Sequence, residues 1–362
     1  MEAIRSEYDK RLTILRQGEL SMFQKAAFSS LAFILLLVLL SGCGSSSSEK
    51  SSEPVTIKIG LLKNVTHAPA FVAMKKGYLQ ERLGSDATFE VQGFNNGSDF
   101  ATAMATGQID IGYVGPSPVI NQYVRSKNLK IISGANNGGA VLVARKNAGI
   151  SSVKDLAGKL VAVPTKGSTN EISLRLLLQE QGLKVTTDKS GAQLIAMAPA
   201  DTLTAMKQGQ VDAALLPEPW GTQIVNESIG DITVDWDQVP PNKGNYPLTI
   251  LVASDGFLNK HRDLAKDVIL ANADAIAFIK DHPDETYPLV SDALKELTGK
   301  GLDADLIKAA LSHLSLTTDI DQAALKTMAQ VAVDAGYVKG VGSEGLDLSG
   351  LYDLSLLEET QR

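Results

Sequence analysis

Apolar positions along residues 54–254 follow two periods, one typical of short strands and one typical of amphipathic helices. Strands are predicted where apolar residues alternate with polar ones or form short runs between Gly, Pro, Asn and Asp. These segments are 55–62, 87–94, 109–114, 129–134, 140–144, 159–163, 194–196, 231–234 and 248–253. Because helical segments of about ten to fifteen residues separate most of them, the pattern predicts an α/β fold with mainly parallel sheets flanked by helices.

Two of these strands are not linked to a neighbour by a helix: 140–144 has none immediately behind it, and 248–253 has none before it. We therefore expect the segments near 140–146 and 246–252 to be two hinge crossings between two lobes. The predicted division assigns residues 54–145 and 248–338 to lobe 1 and residues 146–247 to lobe 2.

The chain from residue 261 to 336 has a helical pattern throughout. Pro283 and Pro288 interrupt this pattern, and Gly299 and Gly301 mark a connection. We expect these helices to cover lobe 1. Residues 339–362 are expected to form a C-terminal tail, whose packing the sequence does not indicate.

A repeated segment supports the division into two lobes, because residues 98–112 and 200–214 are identical at seven of fifteen positions. Each copy predicts a helix that begins at a capping Asp and ends at a Gly, followed directly by a buried strand. The second Asp of each copy, Asp110 or Asp212, is expected at an end of that strand. A supersecondary unit used twice at this spacing indicates two similar lobes. The identical pairs are Asp99/Asp201, Thr102/Thr204, Ala103/Ala205, Met104/Met206, Gly107/Gly209, Gln108/Gln210 and Asp110/Asp212.

Length and charge narrow the class of protein. A chain of 362 residues is long enough for two domains that each bury a core. The formal net charge is −7, and no run rich in Lys and Arg occurs after the first thirty residues. This charge distribution argues against a nucleic acid as the partner.

Residues 26–40 form an uncharged, mostly apolar run that follows Lys25. A run this short with small residues at its end predicts a secretory signal, the alternative being a single transmembrane anchor. The next residues complete Leu40-Ser41-Gly42-Cys43, which resembles the lipobox of bacterial lipoproteins. The resemblance implies cleavage before Cys43 and a lipid on its sulfur, so residues 1–43 form the signal region and residues 44–53 a Ser-rich tether.

Cys43 is the only cysteine, which excludes an internal disulfide, a cysteine-rich zinc site and cysteine-based catalysis elsewhere in the chain. Residues 1–21 carry four acidic side chains, whereas the start of a signal peptide is short and basic. We therefore hypothesise that translation starts at Met22. A precursor peptide spanning residues 20–25 in mass spectrometry would contradict this.

In open parallel sheets, ligands bind beyond the carboxyl ends of the strands. The strongest candidate loop there is 165–169, because its glycine permits a close approach and free N–H groups at a helix start attract an anion. Ser168 could instead serve only as the helix cap, with Lys166 solvated. The full set of candidate ligand-binding residues is Asn64, His67, Gly115, Ser117, Gly138, Gly139, Lys166, Gly167, Ser168, Thr169, Glu218 and Trp220.

His67 is the one histidine in a predicted cleft loop, and it could donate to an anion or stack on a ligand; the alternative is an ordinary buried polar residue. Trp220 could cover an apolar ligand body, or pack between the lobes. No metal-ligand spacing, Gly-x-Ser-x-Gly elbow, P-loop or dinucleotide fingerprint occurs in the sequence. We therefore expect no metal, no cofactor and no enzymatic activity.

Three segments, 64–70, 108–118 and 217–220, resemble the solute-binding lipoproteins of ABC transporters in the nitrate/sulfonate/taurine group. The resemblance covers about residues 55–336 and implies a two-lobed periplasmic-binding fold of type II. His67-Ala68-Pro69-Ala70 and Gly115-Pro116 are most similar to the aliphatic-sulfonate branch. Members of that branch have a neutral polar pair near residues 166–169, where this chain has Lys166, so the identity of the anion stays open.

The resemblance implies a monomer outside the cytoplasm, anchored to the bacterial cell membrane by lipid. It would capture a small anionic organic solute, an aliphatic sulfonate, between its lobes and deliver it to a permease and its ATPase. The alternatives are nitrate, taurine or a thiamine-precursor pyrimidine as the solute, an enzyme on the same fold, or a signalling ectodomain. Fungal thiamine-pyrimidine synthases share the fold but carry a cysteine-rich motif that a chain with one cysteine excludes, and no helix-turn-helix precedes the fold as in LysR-type regulators.

Overall fold

The computed structural model describes residues 54–339 and 346–361. The predicted signal, Met22, Cys43 and the Ser-rich tether lie outside these residues. Within the described ranges, no helix combines the length and the apolar character that crossing a membrane requires.

The strands of the described residues form two sheets, and two of them, β1 and β2, have the bounds that the sequence predicts. The strands are β1 (Val55–Leu62), β2 (Ala87–Phe94), β3 (Ile111–Val114), β4 (Leu129–Gly138), β5 (Ala140–Arg145), β6 (Leu160–Val163), β7 (Gln193–Ala196), β8 (Ala213–Pro217), β9 (Gly230–Val234), β10 (Pro247–Ser254) and β11 (Leu314–Leu316).

Helices connect most of these strands and cover both faces of the sheets. They are α1 (Ala68–Lys75), α2 (Tyr78–Leu83), α3 (Gly97–Ala105), α4 (Pro116–Ser126), α5 (Thr169–Glu180), α6 (Pro199–Lys207), α7 (Trp220–Asn226), α8 (Asp255–Lys260), α9 (Arg262–Asp281), α10 (Pro283–Thr298), α11 (Ala304–Ser312), α12 (Gln322–Asp334) and α13 (Ser355–Thr360). Short 3-10 turns lie at Val65–His67, Val153–Leu156, Trp236–Gln238 and Ser349–Leu351.

The two sheets share one plan. The six-stranded sheet has the order β11-β4-β10-β3-β1-β2, and the five-stranded sheet has the order β7-β6-β8-β5-β9. In the first, β2 and β3 pair parallel with β1; in the second, β7 and β8 pair parallel with β6. Both sheets are mixed rather than mainly parallel, because β10 and β5 enter each of them antiparallel to their neighbours.

The first crossing between the sheets comes earlier than the sequence predicts. Strand β5 pairs with β8 and β9 in the five-stranded sheet, so residues 140–145 do not belong with the lobe 1 segment 54–145. The chain crosses at Gly138 and Gly139, whose φ angles of 68° and 87° favour glycine. A Cβ atom at Gly138 would lie 2.6 Å from the Trp236 ring, which adds a steric reason for glycine there.

The helical prediction for 261–336 is wrong at β11, a short edge strand that pairs antiparallel with the extended end of β4. A three-residue strand of this kind is set by its neighbour rather than by a pattern of its own. Asp99 and Asp201 are also not the caps that the sequence predicts, since both are third residues of helices α3 and α6. Asn96 caps α3, accepting the Asp99 N–H at 2.9 Å.

Residues 346–361 pack against the six-stranded sheet. Leu351, Leu356 and Leu357 are buried there, and the backbone of Tyr352 bridges to Ile131 in β4. The guanidinium group of Arg262 holds the carboxylate of Asp353 at 2.7 Å. The C-terminal tail of the chain is thus part of the fold in this range.

Candidate functional site

A cavity of about 60 Å³ lies between the two sheets and opens to solvent. Its walls come from the carboxyl ends of all six parallel strands, β1, β2, β3, β6, β7 and β8, which is where open α/β sheets bind ligands. The lining residues are Leu62, Asn64, Thr66, His67, Asn95, Asn96, Gly97, Gly115, Pro118, Pro164, Thr165, Ser168, Thr169, Asn170, Pro199, Pro217 and Leu248.

Several helices begin at the wall of this cavity. Gly97, Thr169 and Pro199 are the first residues of α3, α5 and α6, and Gly115 immediately precedes α4. The first N–H groups of a helix have no acceptor within the helix, and the helix dipole adds partial positive charge at this end. Helix starts that converge from both sheets therefore make the cavity attractive to an anion.

His67 is buried and supplies a neutral donor to the cavity. Its Nδ1 accepts the backbone N–H of Leu62 at 3.3 Å, so the ring hydrogen lies on Nε2. Burial lowers the pKa of His67 from 6.5 to about 3, which keeps the ring uncharged at neutral pH. The side chain therefore offers an N–H donor without a formal positive charge.

Two amides add further donors. The Oδ1 of Asn64 accepts the Thr66 hydroxyl at 2.5 Å and the Thr66 N–H at 3.2 Å, which leaves the Asn64 NH2 group for the cavity. The Nδ2 of Asn170 is buried and has no hydrogen-bond partner among the described residues. A buried donor without a partner lowers the stability of the fold, and a ligand acceptor in the cavity would supply the hydrogen bond that Asn170 lacks.

The predicted set of site residues does not include Asn170. The signal that could have identified it is its place beside Thr169 in the first turn of α5, where side chains reach the same space as the free N–H groups. Asn95, Asn96 and Thr165 also line the cavity and are outside that set, although the predicted binding loop 165–169 includes Thr165.

Ser168 and Thr169 both line the cavity, and each also has a structural partner. The Ser168 hydroxyl accepts the Glu171 N–H at 3.2 Å and so caps α5. The Thr169 hydroxyl accepts the Ser117 N–H at 3.3 Å, which joins the two walls. A Cβ atom at Gly115 would lie 2.5 Å from the Thr169 Oγ1, so only glycine allows this approach.

Lys166 is exposed and does not line the cavity. The neighbouring Gly167 adopts a left-handed turn with φ of 73°, and its N–H donates to the Glu171 carboxylate at 2.6 Å. This turn separates Lys166 from the start of α5. The structure therefore places the ammonium group in solvent, away from the free N–H groups.

Glu218 lies outside the cavity and has partners of its own. Its side chain is fully buried; Oε2 accepts the Thr222 N–H at 3.1 Å, and Oε1 lies 2.7 Å from His313 Nδ1. The hydrogen bond to Glu218 raises the pKa of His313, and burial opposes this rise. Glu218 therefore connects the five-stranded sheet to the segment after α11.

The remaining predicted residues lie beside the cavity rather than on its wall. Ser117 is buried with its hydroxyl unpartnered, and Gly138 and Gly139 form the crossing described above. Trp220 is half-buried and lines a separate groove with Lys63 and Lys300.

No charged side chain lines the cavity among the residues that the structure describes. The described residues also contain no group of three or more His, Cys, Asp or Glu that could hold a metal ion. The arrangement can therefore hold an anion through neutral N–H donors and helix dipoles, against an apolar wall that includes Leu62, Pro118 and Leu248.

The fold is that of the two-lobed periplasmic binding proteins. The alkanesulfonate-binding protein SsuA from Xanthomonas axonopodis pv. citri, solved with MOPS bound, matches the structure with a TM-score of 0.69 at 18% identity. The match covers 83% of this chain and 99% of that one. At this identity the likeness shows the fold.

Within that class, the chain belongs to the NMT1-like family, whose model matches residues 50–295. The "Putative aliphatic sulfonates-binding protein" of Bacillus subtilis (strain 168) is 25% identical over 308 residues, covering 82% of this chain and 87% of that protein. The "Taurine-binding periplasmic protein" of Escherichia coli (strain K12) is 28% identical over 227 residues, covering 62% of this chain and 64% of that protein.

Proposed function

We propose that the protein captures a small organic anion, an aliphatic sulfonate, in the cavity and delivers it to the permease and ATPase of an ABC importer. The observation that carries this proposal is the convergence of neutral N–H donors from both sheets on a cavity that no charged side chain of the described residues lines. The names of the relatives from Bacillus subtilis and Escherichia coli support the same class of solute.

A sulfonate suits this cavity for two chemical reasons. Its three oxygens spread one negative charge over several directions, so donors such as His67 and Asn170 can reach it from different walls. Its hydrocarbon part would contact the apolar wall, which includes Pro164, Pro199 and Pro217. Nitrate has no apolar part to use this wall, and a pyrimidine has no permanent negative charge to use the helix starts.

Capture would couple to closure of two lobes that move about the crossings. Several bonds already join the two sides, including the Ser117 N–H to the Thr169 hydroxyl and the Tyr337 hydroxyl to Glu171 at 2.6 Å. A ligand shifts such an equilibrium only through better contacts in the closed state. A solute held by donors of both sides supplies those contacts, and the closed form would then dock on the permease.

The proposal includes the compartment. The relative from Escherichia coli is named as a taurine-binding periplasmic protein, which supports a place outside the cytoplasm. We propose that the lipid on Cys43 anchors a monomeric protein to the membrane and that the protein does not transform its solute. Cys43→Ser should move the protein from the membrane fraction to the soluble fraction, and a bound sulfonate should be recovered chemically unchanged.

The first test is a thermal-shift series with alkanesulfonates, taurine, nitrate and a thiamine-precursor pyrimidine. A ligand at about 100 times its Kd stabilises the protein by about 2.7 kcal/mol. A shift with alkanesulfonates supports the proposal. A shift with the pyrimidine or nitrate alone overturns it.

The second test places a negative charge in the cavity without changing its shape. Asn170→Asp puts a carboxylate beside the bound anion, and like charges in contact cost several kcal/mol. We expect affinity to fall more than about a hundredfold, since each tenfold is about 1.4 kcal/mol. The matched control is Asn259→Asp at an exposed site on α8, which should bind as the wild type does. Equal affinity in the two variants would contradict the placement of the anion.

A further inference from the structure

An open groove of about 280 Å³ lies beside the cavity. One side comes from the start of α7, which follows the five-stranded sheet. The other side comes from the end of α10 and the loop after it, together with the residue that follows β1. The residues that matter here are Lys63, Pro219, Trp220, Leu294, Lys300 and Leu302.

The groove joins an apolar surface to two cations. Trp220, Leu294 and Leu302 supply the apolar part. Among the described residues, neither Lys63 nor Lys300 forms an ion pair with a carboxylate. This combination suits an amphipathic ligand that carries a negative group at its end.

The carboxylate of Glu227, which senses the charge of Lys300, already has other partners. Glu227 pairs with Lys207 and accepts the Gln223 amide at 2.8 Å, and these hydrogen bonds lower its pKa, with Lys207 as the main cause. Lys300 is only a weak, distant contributor to that lowering. Its charge is therefore not neutralised by contact.

The groove and the cavity are neighbours along both walls. Leu62 and Asn64 line the cavity, while Lys63 between them lines the groove. The Lys63 ammonium group donates to Asn95 Oδ1 at 3.2 Å, and Asn95 is itself a cavity residue. On the opposite wall, Pro217 lines the cavity and Pro219 lines the groove two residues later. The Lys63 ammonium group therefore lies beside a residue of the cavity wall.

We propose that the groove is a second subsite that binds the far end of the solute, and that this end carries a carboxylate. The inference rests on the proposed function, because it places a sulfonate in the cavity. The solute class is then a short alkyl chain with a sulfonate at one end and a carboxylate at the other. Lys63 and Lys300 hold the carboxylate, and Trp220 covers the chain between the two groups.

The experiment measures Kd by isothermal titration calorimetry on the purified full chain. The ligands are ω-sulfoalkanoates from 3-sulfopropanoate to 5-sulfopentanoate, each paired with the alkanesulfonate of the same carbon number. At the best length we expect the carboxylate-terminated ligand to bind at least tenfold more tightly than its partner. Homotaurine, which ends in an ammonium group, should bind more weakly than either.

Variants test the residues of the subsite. Lys63→Met with Lys300→Met keeps the aliphatic stems and removes both charges, so the carboxylate preference should fall to less than threefold while alkanesulfonate affinity stays within threefold of wild type. Lys300→Met alone, at an exposed site, should lose part of the preference without risk to folding. Lys260→Met on α8 is the control, because Lys260 is exposed and away from both sites, and it should keep the full preference.

The outcomes separate the two proposals. Equal affinity for both ligand series in the wild type, or a carboxylate preference that survives in the double variant, overturns the second subsite and leaves the proposed function standing. Failure of every sulfonate to bind the wild type overturns the proposed function, and the subsite with it.

Discussion

The two repeated segments, α3–β3 and α6–β8, build the same local structure in different sheets. Gly107 and Gly209 each follow the helix with φ of 73°. Met104 and Met206 are both 1% exposed. The first Asp after each glycine, Asp110 or Asp212, joins its copy to a neighbouring strand.

The two aspartates make the same pair of hydrogen bonds to the backbone of the neighbouring strand. The Asp110 N–H donates to the Lys58 carbonyl at 2.8 Å, and the Asp110 carboxylate accepts the Lys58 N–H at 2.9 Å. Asp212 makes the same pair of bonds with Leu160, both at 3.0 Å. The repeated aspartates are therefore structural, as the sequence predicts for strand ends.

The copies differ immediately after their strands. After β3, Gly115 forms the cavity wall and the Ser117 N–H reaches Thr169. After β8, Pro217 forms the cavity wall, but Glu218 turns to His313 and Trp220 to the groove. Identical residues thus build the same helix–strand unit in both sheets, while the residues that follow it and differ line the cavity and the groove and join the two sides.

The largest effect on stability is expected at the repeated methionines. Met104→Ala and Met206→Ala each remove a buried side chain, so each should lower the free energy of unfolding by about 2–5 kcal/mol. Denaturant unfolding measures both. Gln108→Ala and Gln210→Ala are repeated but exposed controls and should stay within about 0.5 kcal/mol of wild type. A neutral Met206→Ala would break the equivalence of the two copies.

A smaller difference should separate the repeated aspartates. Asp110→Ala removes a backbone bond to Lys58, at a cost of about 1–2 kcal/mol. Asp212→Ala also leaves Arg145 without its 2.9 Å ion pair, so it should cost up to about 1 kcal/mol more. Urea midpoints compare the two variants. The reverse order would show that the Arg145 pair contributes nothing.

The next effect concerns the bond between the walls. Thr169→Val keeps the shape of the side chain but removes the acceptor for the Ser117 N–H. Closure should weaken by about 1 kcal/mol, which lowers sulfonate affinity about fivefold. Calorimetry measures this loss. Thr165→Val, on the same wall but with no side-chain hydrogen bond to the other side among the described residues, separates closure from direct contact with the ligand.

The smallest effect is a pH dependence of stability from the Glu218 contact. The pKa of His313 is raised in the fold, so its contribution is fully present below the unfolded value near 6.5 and is lost as pH rises through the folded value. Glu218, Asp235 and Asp237 favour the protonated ring. Thermal unfolding from pH 6.5 to 9 should show falling stability that His313→Asn abolishes. An unchanged slope in that variant would exclude His313 as its source.

Much of the fold is readable from the sequence because its signals are local. The alternation of apolar residues fixes β1 and β2, and the glycines of the repeat fix two helix ends. The elements that the sequence does not predict correctly depend on partners far away along the chain. Strand β11 exists only against the end of β4, and β5 joins the five-stranded sheet through pairs with β8 and β9. No local pattern records those pairings.

The site divides in the same way. His67, Gly115, Ser168 and Thr169 lie in loops that the order of strands places at the cavity. Whether a loop side chain points into the cavity depends on a single backbone angle or a single hydrogen-bond partner. The turn at Gly167 directs Lys166 into solvent, and His313 holds Glu218 outside the cavity. Asn170 was not predicted because what marks it is the lack of a hydrogen-bond partner for its Nδ2 among the described residues, which only the folded structure shows.

If the anion binds beside His67 as proposed, its capture at neutral pH proceeds without exchange of a proton. An anion beside the ring raises the pKa of His67 from about 3, but a neighbouring charge shifts a pKa by only about 1–3 units, so the ring stays neutral at pH 7. The heat of solute capture should then be the same in buffers of different ionisation enthalpy. Capture as proposed would consequently neither acidify nor alkalinise the medium at neutral pH.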